Sequence, residues 1–275
     1  MIKNWLITGD THSKVEDRLK YIQETMPECV PEETAIIILG DVGFNYYKSK
    51  RDWKNKHKCA EYGYTLYCLR GNHEDRAMNQ PVGGTIISEY DENVKGHVLH
   101  EPEFPNIKYF CDWVAEYEID GKKVLTIPGA YSVDKWYRLQ NDWQWFADEQ
   151  LTDYEMKWAE ELAKFKEYDF VFSHTCPLDW EPVDLFLRGI DQSKVDKTME
   201  VWLNKFRYTF TWFVWCFGHY HADRIERPGV EMFYIEVEKL EDVYNRWDKY
   251  FDTGELDWWL PKSPNYYMGE GKLNA

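Results

Sequence analysis

Residues 4–12 of the chain read NWLITGDTH, in which the apolar run Trp5–Thr8 leads directly into a glycine, an aspartate and a histidine. The same order recurs in residues 35–41, AIIILGD, and in residues 65–74, TLYCLRGNHE. Short apolar runs that are rich in β-branched and aromatic residues are typical of buried strands. Parallel strands end at one edge of their sheet, where such folds usually bind ligands. These three stretches therefore predict a parallel sheet with polar side chains gathered at one edge.

The segments between these runs predict helices over Val15–Met26 and Ser49–Tyr62, which gives a β-α-β-α-β opening. Further along the chain, Asp120-Gly121 and Pro228-Gly229 each separate two extended segments and predict hairpins. The other predicted elements are strands over Phe170–Phe172 and Trp212–Phe217, hairpin strands over Val114–Ile119, Lys122–Ile127, Arg224–Arg227 and Glu231–Val237, and helices over Asp153–Glu167 and Lys194–Phe206. Together they predict a mixed α/β sandwich.

The composition limits both the domain organisation and the partners. No linker or repeat divides the 275 residues, so we expect a single domain over residues 1–275. Within it, residues 131–150 are expected to form an aromatic lid or insertion and residues 252–275 a C-terminal tail. The 33 Lys and Arg residues against 49 Asp and Glu give a formal net charge of -16. Long duplex nucleic acid is therefore an unfavourable partner.

The six cysteines are scattered along the chain without CxxC pairing, which predicts reduced thiols and a cytoplasmic location. The N-terminus lacks the basic segment and long apolar stretch that mark a signal peptide. The longest late apolar run, Trp212–Phe217, is too short to span a bilayer, so no membrane partner is expected.

Five polar blocks follow the apolar runs and contain five of the eight histidines. The blocks are Gly9-Asp10-Thr11-His12, Gly40-Asp41, Gly71-Asn72-His73-Glu74, His174 and Gly218-His219-Tyr220-His221. Residues i and i+2 of an extended segment point to the same side, so the outer residues of Asp10–His12 and of His219–His221 can approach a common centre. Carboxylate, imidazole and amide donors together suit Mn, Fe or Zn.

In this order the blocks resemble the calcineurin-like metallophosphoesterases, whose pattern is D-x-H, GD, GNH[DE], H and GHxH. The match spans Asp10 to His221, and the chain looks like a little-characterised bacterial or phage-type member. The resemblance implies an α/β fold, a metallophosphoesterase-like αββα sandwich with mixed central sheets. It also implies a hydrolase that cleaves a phosphomonoester or a phosphodiester in a small molecule, a nucleotide or a phosphoprotein.

The resemblance further implies two divalent metal ions, with Mn favoured over Fe, Zn or Mg. By the family's pattern, one ion would be held by Asp10, His12 and His221, the other by Asn72, His174 and His219, and Asp41 would bridge them. Two dications against two carboxylates leave a surplus of about two positive charges for a phosphoryl group. A hydroxide that bridges the metals would attack phosphorus in line.

His73 occupies the family's position for a residue that stabilises the transition state or protonates the leaving oxygen. Glu74 is expected to orient that imidazole. Residues 128–138, PGAYSVDKWYR, are similar to a segment of bacterial and phage members. Ser132 and Arg138 are therefore candidate substrate-binding residues, with the guanidinium as a phosphate clamp.

Three alternatives stay open. Arg70–Glu74 looks like the block of the serine/threonine protein phosphatases, but residues 40–45, GDVGFN, lack the second acid and the arginine of their GDxxDR block. A nuclease could use the same chemistry, against which the acidic balance counts. A non-catalytic interaction scaffold that binds metal is the third alternative, against which the presence of His73 and all seven implied ligands counts.

Overall fold

A computed structural model describes residues 2–79 and 84–255. The strands are β1 (Asn4–Thr8), β2 (Thr34–Ile38), β3 (Thr65–Cys68), β4 (Ile87–Asp91), β5 (Gly96–His100), β6 (Ile107–Tyr109), β7 (Ala115–Ile119), β8 (Lys122–Ile127), β9 (Glu167–Ser173), β10 (Thr211–Phe217), β11 (Arg224–Arg227), β12 (Val230–Met232) and β13 (Val237–Lys239). The helices are α1 (Val15–Thr25), α2 (Lys50–Ala60), α3 (Lys135–Gln140), α4 (Asp153–Ala163), α5 (Thr198–Phe206) and α6 (Leu240–Thr253).

Two mixed sheets form the centre of the fold. The first has the order β13-β1-β2-β3-β6-β5-β4, and β1, β2, β3 and β6 are parallel neighbours within it. The second has the order β11-β12-β10-β9-β8-β7, and β8, β9, β10 and β12 are parallel. Antiparallel strands complete both sheets at their edges. The predicted β-α-β-α-β opening is confirmed by the parallel pairing of β1, β2 and β3.

Alternating side chains of each sheet fill separate layers of the core. In β2, Ala35 and Ile37 face the second sheet, whereas Ile36 and Ile38 face the helices α1 and α2. The outer face of the second sheet packs against α4 and α5. Helices therefore cover both outer faces of two stacked sheets, which confirms the predicted αββα sandwich.

Two predicted helices have different bounds in the structure. The helix predicted over Asp153–Glu167 is wrong at its end, because Glu167 already belongs to β9. Phe165 adopts a left-handed φ of 60°, which stops the helix before it. The helix predicted over Lys194–Phe206 begins only at Thr198, because Lys194 lies in a separate 3-10 turn.

The strand predicted over Glu231–Val237 is also wrong, because its two ends lie in different sheets. Its first part continues β12 as far as Met232, and its last residue opens β13 beside β1. Between them, the carboxylate of Asp223 accepts backbone hydrogen bonds from residues 234, 235 and 236. These bonds replace the strand pairing where the chain crosses from one sheet to the other.

The structure adds elements that the sequence did not predict, namely β4–β6, α3 and α6. Helix α6 buries Leu240, Val243 and Trp247 and ends at Gly254, whose φ of 73° is a typical left-handed cap. The proposed C-terminal tail is thus helical at residues 252 and 253, and its residues 256–275 lie outside the described part. In the proposed lid, α3 leaves Trp136 65% exposed.

Candidate metal centre

Five parallel strands end at the edge where the polar blocks lie. β1, β2 and β3 of the first sheet lead to Asp10, Asp41 and Asn72, and β9 and β10 of the second sheet lead to His174 and His219. The site therefore lies where the two sheets meet, as expected for ligand binding at the carboxyl ends of parallel strands.

Four of the candidate metal ligands adopt left-handed backbone, which is uncommon for residues other than glycine. Their φ angles are 44° for His12, 46° for Asp41, 70° for His219 and 55° for His221. Such conformations cost roughly 1–3 kcal/mol each and persist where surrounding contacts fix them. One such contact is the hydrogen bond of 2.8 Å from His12 N to Asp41 O.

Asp10, His12 and His221 form a first cluster. His221 Nε2 lies 2.8 Å from His12 Nε2 and 3.3 Å from Asp10 Oδ2, and His12 Nε2 lies 3.8 Å from the same oxygen. Asp10 is 1% exposed, and its Oδ1 accepts a hydrogen bond of 2.9 Å from His219 N. Three donor atoms therefore converge on one point.

Asp41, Asn72 and His174 form a second cluster beside the first. His174 Nε2 lies 2.9 Å from Asn72 Oδ1 and 3.5 Å from Asp41 Oδ1. Its Nδ1 lies 2.8 Å from Leu39 O, and a proton on Nδ1 leaves Nε2 with its lone pair toward the cluster. The ring of His219 lies beside that of His174, with centroids 5.1 Å apart.

Asp41 connects the two clusters. Its Oδ1 faces His174, while its Oδ2 lies 4.0 Å from His12 Nε2. Asp41 is 1% exposed, so it has little access to water that could solvate its charge. A carboxylate in this position can ligate two cations at once.

The pKa values of the histidines in the site are shifted in opposite directions. Burial would lower the pKa of His174, but the carboxylates of Asp41 and Asp10 outweigh it and raise that pKa to about 9. Burial, together with His174, lowers the pKa of His219 to about 3. Burial also lowers the pKa of His12, against the attraction of both carboxylates. Neutral imidazole is the form that ligates metal, so the lowered pKa values of His219 and His12 favour ligation, whereas a cation that bound His174 would displace a proton from it.

Glycines before two of the ligands allow the strand ends to approach closely. A Cβ at Gly71 would lie 2.0 Å from Asp41 Oδ1, and one at Gly218 would lie 2.3 Å from Asp10 Oδ1. Any other residue would displace a candidate ligand by steric overlap.

The residues present fit divalent cations. Asp10 Oδ2 is buried and accepts no well-formed hydrogen bond from the described residues, so a cation could supply the partner that this oxygen lacks. Asp and His donors come within 4.8 Å of one another in three overlapping groups: Asp10, His12 and His221; His12, Asp41 and His73; Asp10, Asp41 and His174. Hard oxygen donors mixed with imidazole are typical of Mn, Fe and Zn sites.

His73 lies beside the clusters with its ring toward the outer side of the site. Its backbone N donates a hydrogen bond of 2.7 Å to Asp41 Oδ1, and Arg138 Nη2 contacts its ring nitrogens. Tyr46 stacks on the same ring, with centroids 6.4 Å apart. Burial lowers the pKa of His73 to about 4, and Arg138 acts in the same direction.

Glu74 accepts hydrogen bonds from backbone groups of two loops. Its Oε1 accepts hydrogen bonds from Gly71 N and Val42 N, and its Oε2 accepts one from Gly43 N. The prediction that Glu74 orients His73 is wrong, because the carboxylate instead joins the loop after β3 to the loop after β2. It thereby holds the two loops that carry Asp41 and Asn72 together.

The family model of calcineurin-like phosphoesterases matches residues 4–223. The chain belongs to the calcineurin-like phosphoesterase family. Membership supports a metal-dependent hydrolase that acts on phosphoesters, and the matched range contains every residue of the two clusters. No curated protein matches this phosphoesterase.

Solved structures match this phosphoesterase at low sequence identity, among them the following two. TT1561 of Thermus thermophilus is 12% identical, with a TM-score of 0.45, and the match covers 87% of this chain and 98% of that one. The phosphopantetheinyl hydrolase PptH of Mycobacterium tuberculosis is 13% identical, with a TM-score of 0.43, and the match covers 97% of this chain and 98% of that one.

The two candidate substrate residues occupy different places in the phosphoesterase. Arg138 is 2% exposed, contacts the ring of His73 and also donates a hydrogen bond of 2.8 Å from Nε to Asp134 Oδ2. Ser132 is fully buried, and its hydroxyl contacts the amide of Asn72.

Across residues 2–79 and 84–255, the helices are too short or too polar to cross a bilayer.

Proposed function

We propose that the protein hydrolyses a phosphoester with two divalent cations, of which Mn is the best fit to the donor set. The observation that supports this most directly is the convergence of two buried carboxylates, Asp10 and Asp41, with imidazole donors at the junction of two sheets. Under this proposal Asp10, His12 and His221 would hold one cation, Asn72, His174 and His219 would hold the other, and Asp41 would be shared between them.

The charges of the site favour the binding of a phosphoryl group beside two divalent cations. Two carboxylates against two dications leave about two net positive charges, which a phosphoryl group can neutralise. Asn72 contributes an oxygen donor without a charge, so it preserves this surplus. When bound, the cations supply a water of lowered pKa as nucleophile and neutralise charge on the phosphoryl oxygens.

The residues on the outer side of the site would contact the substrate. His73 is held by its backbone bond to Asp41, and its imidazole would stabilise the leaving oxygen by hydrogen bonding. Arg138 is a permanent cation beside that ring and pairs with the phosphoryl oxygens.

The activity is tested with p-nitrophenyl phosphate and its bis-ester on protein that has been stripped of metal and reloaded with Mn²⁺. We expect turnover that requires added Mn²⁺ and disappears in the His219→Ala variant. Protein that binds two Mn²⁺ ions and hydrolyses neither ester, nor cyclic nucleotides, would contradict the proposal and favour a scaffold.

The thiols bear on the compartment. All six cysteines are buried and free. Proteins of oxidising compartments commonly form disulfides, whereas cytoplasmic proteins keep their thiols reduced. We propose that the protein works in the cytoplasm, where thiols stay reduced. Thiol titration of freshly isolated protein should find six reactive groups after unfolding.

A further inference from the structure

Asn72 begins a buried series of hydrogen bonds that leads away from the metal centre. Its Nδ2 donates to Ser132 Oγ at 2.9 Å, and Ser132 Oγ donates to Glu149 Oε2 at 2.5 Å. The backbone N of Ser132 donates to the other oxygen, Oε1, of Glu149 at 3.0 Å. The exposed fractions of Asn72, Ser132 and Glu149 are 1%, 0% and 2%, so water does not compete for these bonds.

The chemistry of the three groups fixes the direction of each bond. A carboxylate only accepts, so the single hydroxyl proton of Ser132 is committed to Glu149. The hydroxyl oxygen can then serve Asn72 only as an acceptor, which selects the NH₂ end of the amide. The amide oxygen is left on the opposite side, 2.9 Å from His174 Nε2.

Glu149 is itself anchored by the block that carries Asn72. Arg70 Nη1 donates to the main-chain oxygen of Glu149 at 2.8 Å, and Arg70 is 5% exposed. Arg70 O in turn accepts a hydrogen bond of 2.9 Å from Gly129 N, three residues before Ser132. The positions of Glu149 and Ser132 are therefore tied to the loop after β3.

We propose that Glu149 and Ser132 are positioning residues that keep the Asn72 amide oxygen directed at the cation site. The two ends of an amide have nearly the same shape, so packing alone does not distinguish them. A reversed amide would present hydrogen atoms to a cation and remove one ligand. The inference rests on the proposed function, because it assigns Asn72 to one of two cations.

Calorimetric titration of the metal-free protein with Mn²⁺ tests this inference without measuring turnover. For Ser132→Ala we expect one Mn²⁺ to bind about 10- to 100-fold more weakly, the usual effect of losing a residue that orients a ligand, and the other to bind as in the wild type. Glu149→Gln should act likewise, because its amide can donate to Ser132 and free the hydroxyl proton to point at Asn72. Thr126→Val is the control, since it removes a buried hydroxyl that bonds to Ala115 O and takes no part in the series that begins at Asn72.

A double variant separates orientation from general loosening of the site. In Asn72→Asp both side-chain oxygens can ligate, so adding Ser132→Ala should cause little further loss of Mn²⁺ affinity. If Ser132→Ala costs as much affinity in the Asn72→Asp background as in the wild type, the inference is overturned. Wild-type affinities in both Ser132→Ala and Glu149→Gln would overturn it too.

The variants are chosen so that each remains informative if another fails. Because Glu149→Gln preserves volume, it still tests the inference if Ser132→Ala does not fold. Wild-type protein that binds fewer than two Mn²⁺ ions would instead overturn the proposed function, so the two failures are distinguishable.

Discussion

Arg138 places a permanent positive charge against the ring of His73 and is itself 2% exposed. Replacing it with Lys keeps the charge but removes the planar pair of donors that matches phosphate oxygens. We expect KM for p-nitrophenyl phosphate to rise about tenfold in Arg138→Lys, the effect of losing about 1.4 kcal/mol of binding. Arg224→Lys is the control, because Arg224 bonds to Asp184 on the surface. An unchanged KM in Arg138→Lys would remove Arg138 from the substrate site.

Asp41 allows a test of charge without loss of shape. In Asp41→Asn the side-chain oxygen can still accept the hydrogen bond from His73 N, so the loop should keep its conformation. The lost charge weakens the attraction for both cations at once, and we expect at least about a tenfold loss of affinity for each Mn²⁺. Calorimetric titration measures both sites in one experiment. Loss at a single site would show that Asp41 does not contact both cations.

The sequence pointed to the residues that meet in the two clusters but not to Glu149, the proposed positioning residue of Asn72. Asp10, Asn72 and His174 follow strong apolar runs, so each is marked by its position at a strand end. Glu149 lies in the stretch 147–150, ADEQ, where no local pattern distinguishes it from a solvated acid. Only the tertiary fold brings it to Ser132.

At the level of elements, the loop after β10 depends on Gly218. A Cβ there would lie 2.3 Å from Asp10 Oδ1 and 2.9 Å from Leu39 O, and both of these residues are buried. We expect Gly218→Ala to weaken Mn²⁺ binding at the cluster of Asp10 at least about tenfold and to lower the melting temperature. Gly121→Asn is the matched control, because Gly121 has a positive φ with open space around it and Asn tolerates that conformation. Unchanged Mn²⁺ affinity would show that the loop can shift without moving Asp10.

The elements that were predicted differ physically from those that were not. β2 is buried along its whole length and therefore has a continuous apolar sequence. β4, with the sequence ISEYD, buries only Asp91, so its residues carry no apolar alternation. The error at residues 231–237 has another cause. The carboxylate that accepts the backbone hydrogen bonds dividing this segment belongs to Asp223, which lies outside the segment.

At the scale of the whole molecule, each sheet supplies part of the centre. The candidate ligands from Asp10 to Asn72 follow strands of the first sheet, and those from His174 onward follow strands of the second. The geometry of the site therefore depends on how the sheets pack, through a shared core that includes Ile37 and Phe172. Loosening of the layer behind the second sheet should reduce the stability of the whole fold.

Glu200 of α5 lies in that layer and gives the fold a dependence on pH. Its carboxylate is 3% exposed and accepts a hydrogen bond of 2.7 Å from Thr175 Oγ1. Burial raises the pKa of Glu200 from 4.5 to about 7, although the bond from Thr175 and the charge of Lys197 oppose the shift. A raised acid pKa means that its stabilising contribution is complete below pH 4.5 and is lost as the pH rises through about 7.

Glu200→Gln removes this titration and keeps the hydrogen bond from Thr175. We expect the stability advantage of the variant over the wild type to grow by about 2 kcal/mol between about pH 5.5 and about pH 8, measured by urea unfolding of metal-free protein. The comparison at each pH cancels the titration of all other groups, because both proteins share them. A difference that stays constant over this range would mean that Glu200 is already ionised in the folded protein at its acidic end, and that α5 tolerates a buried charge.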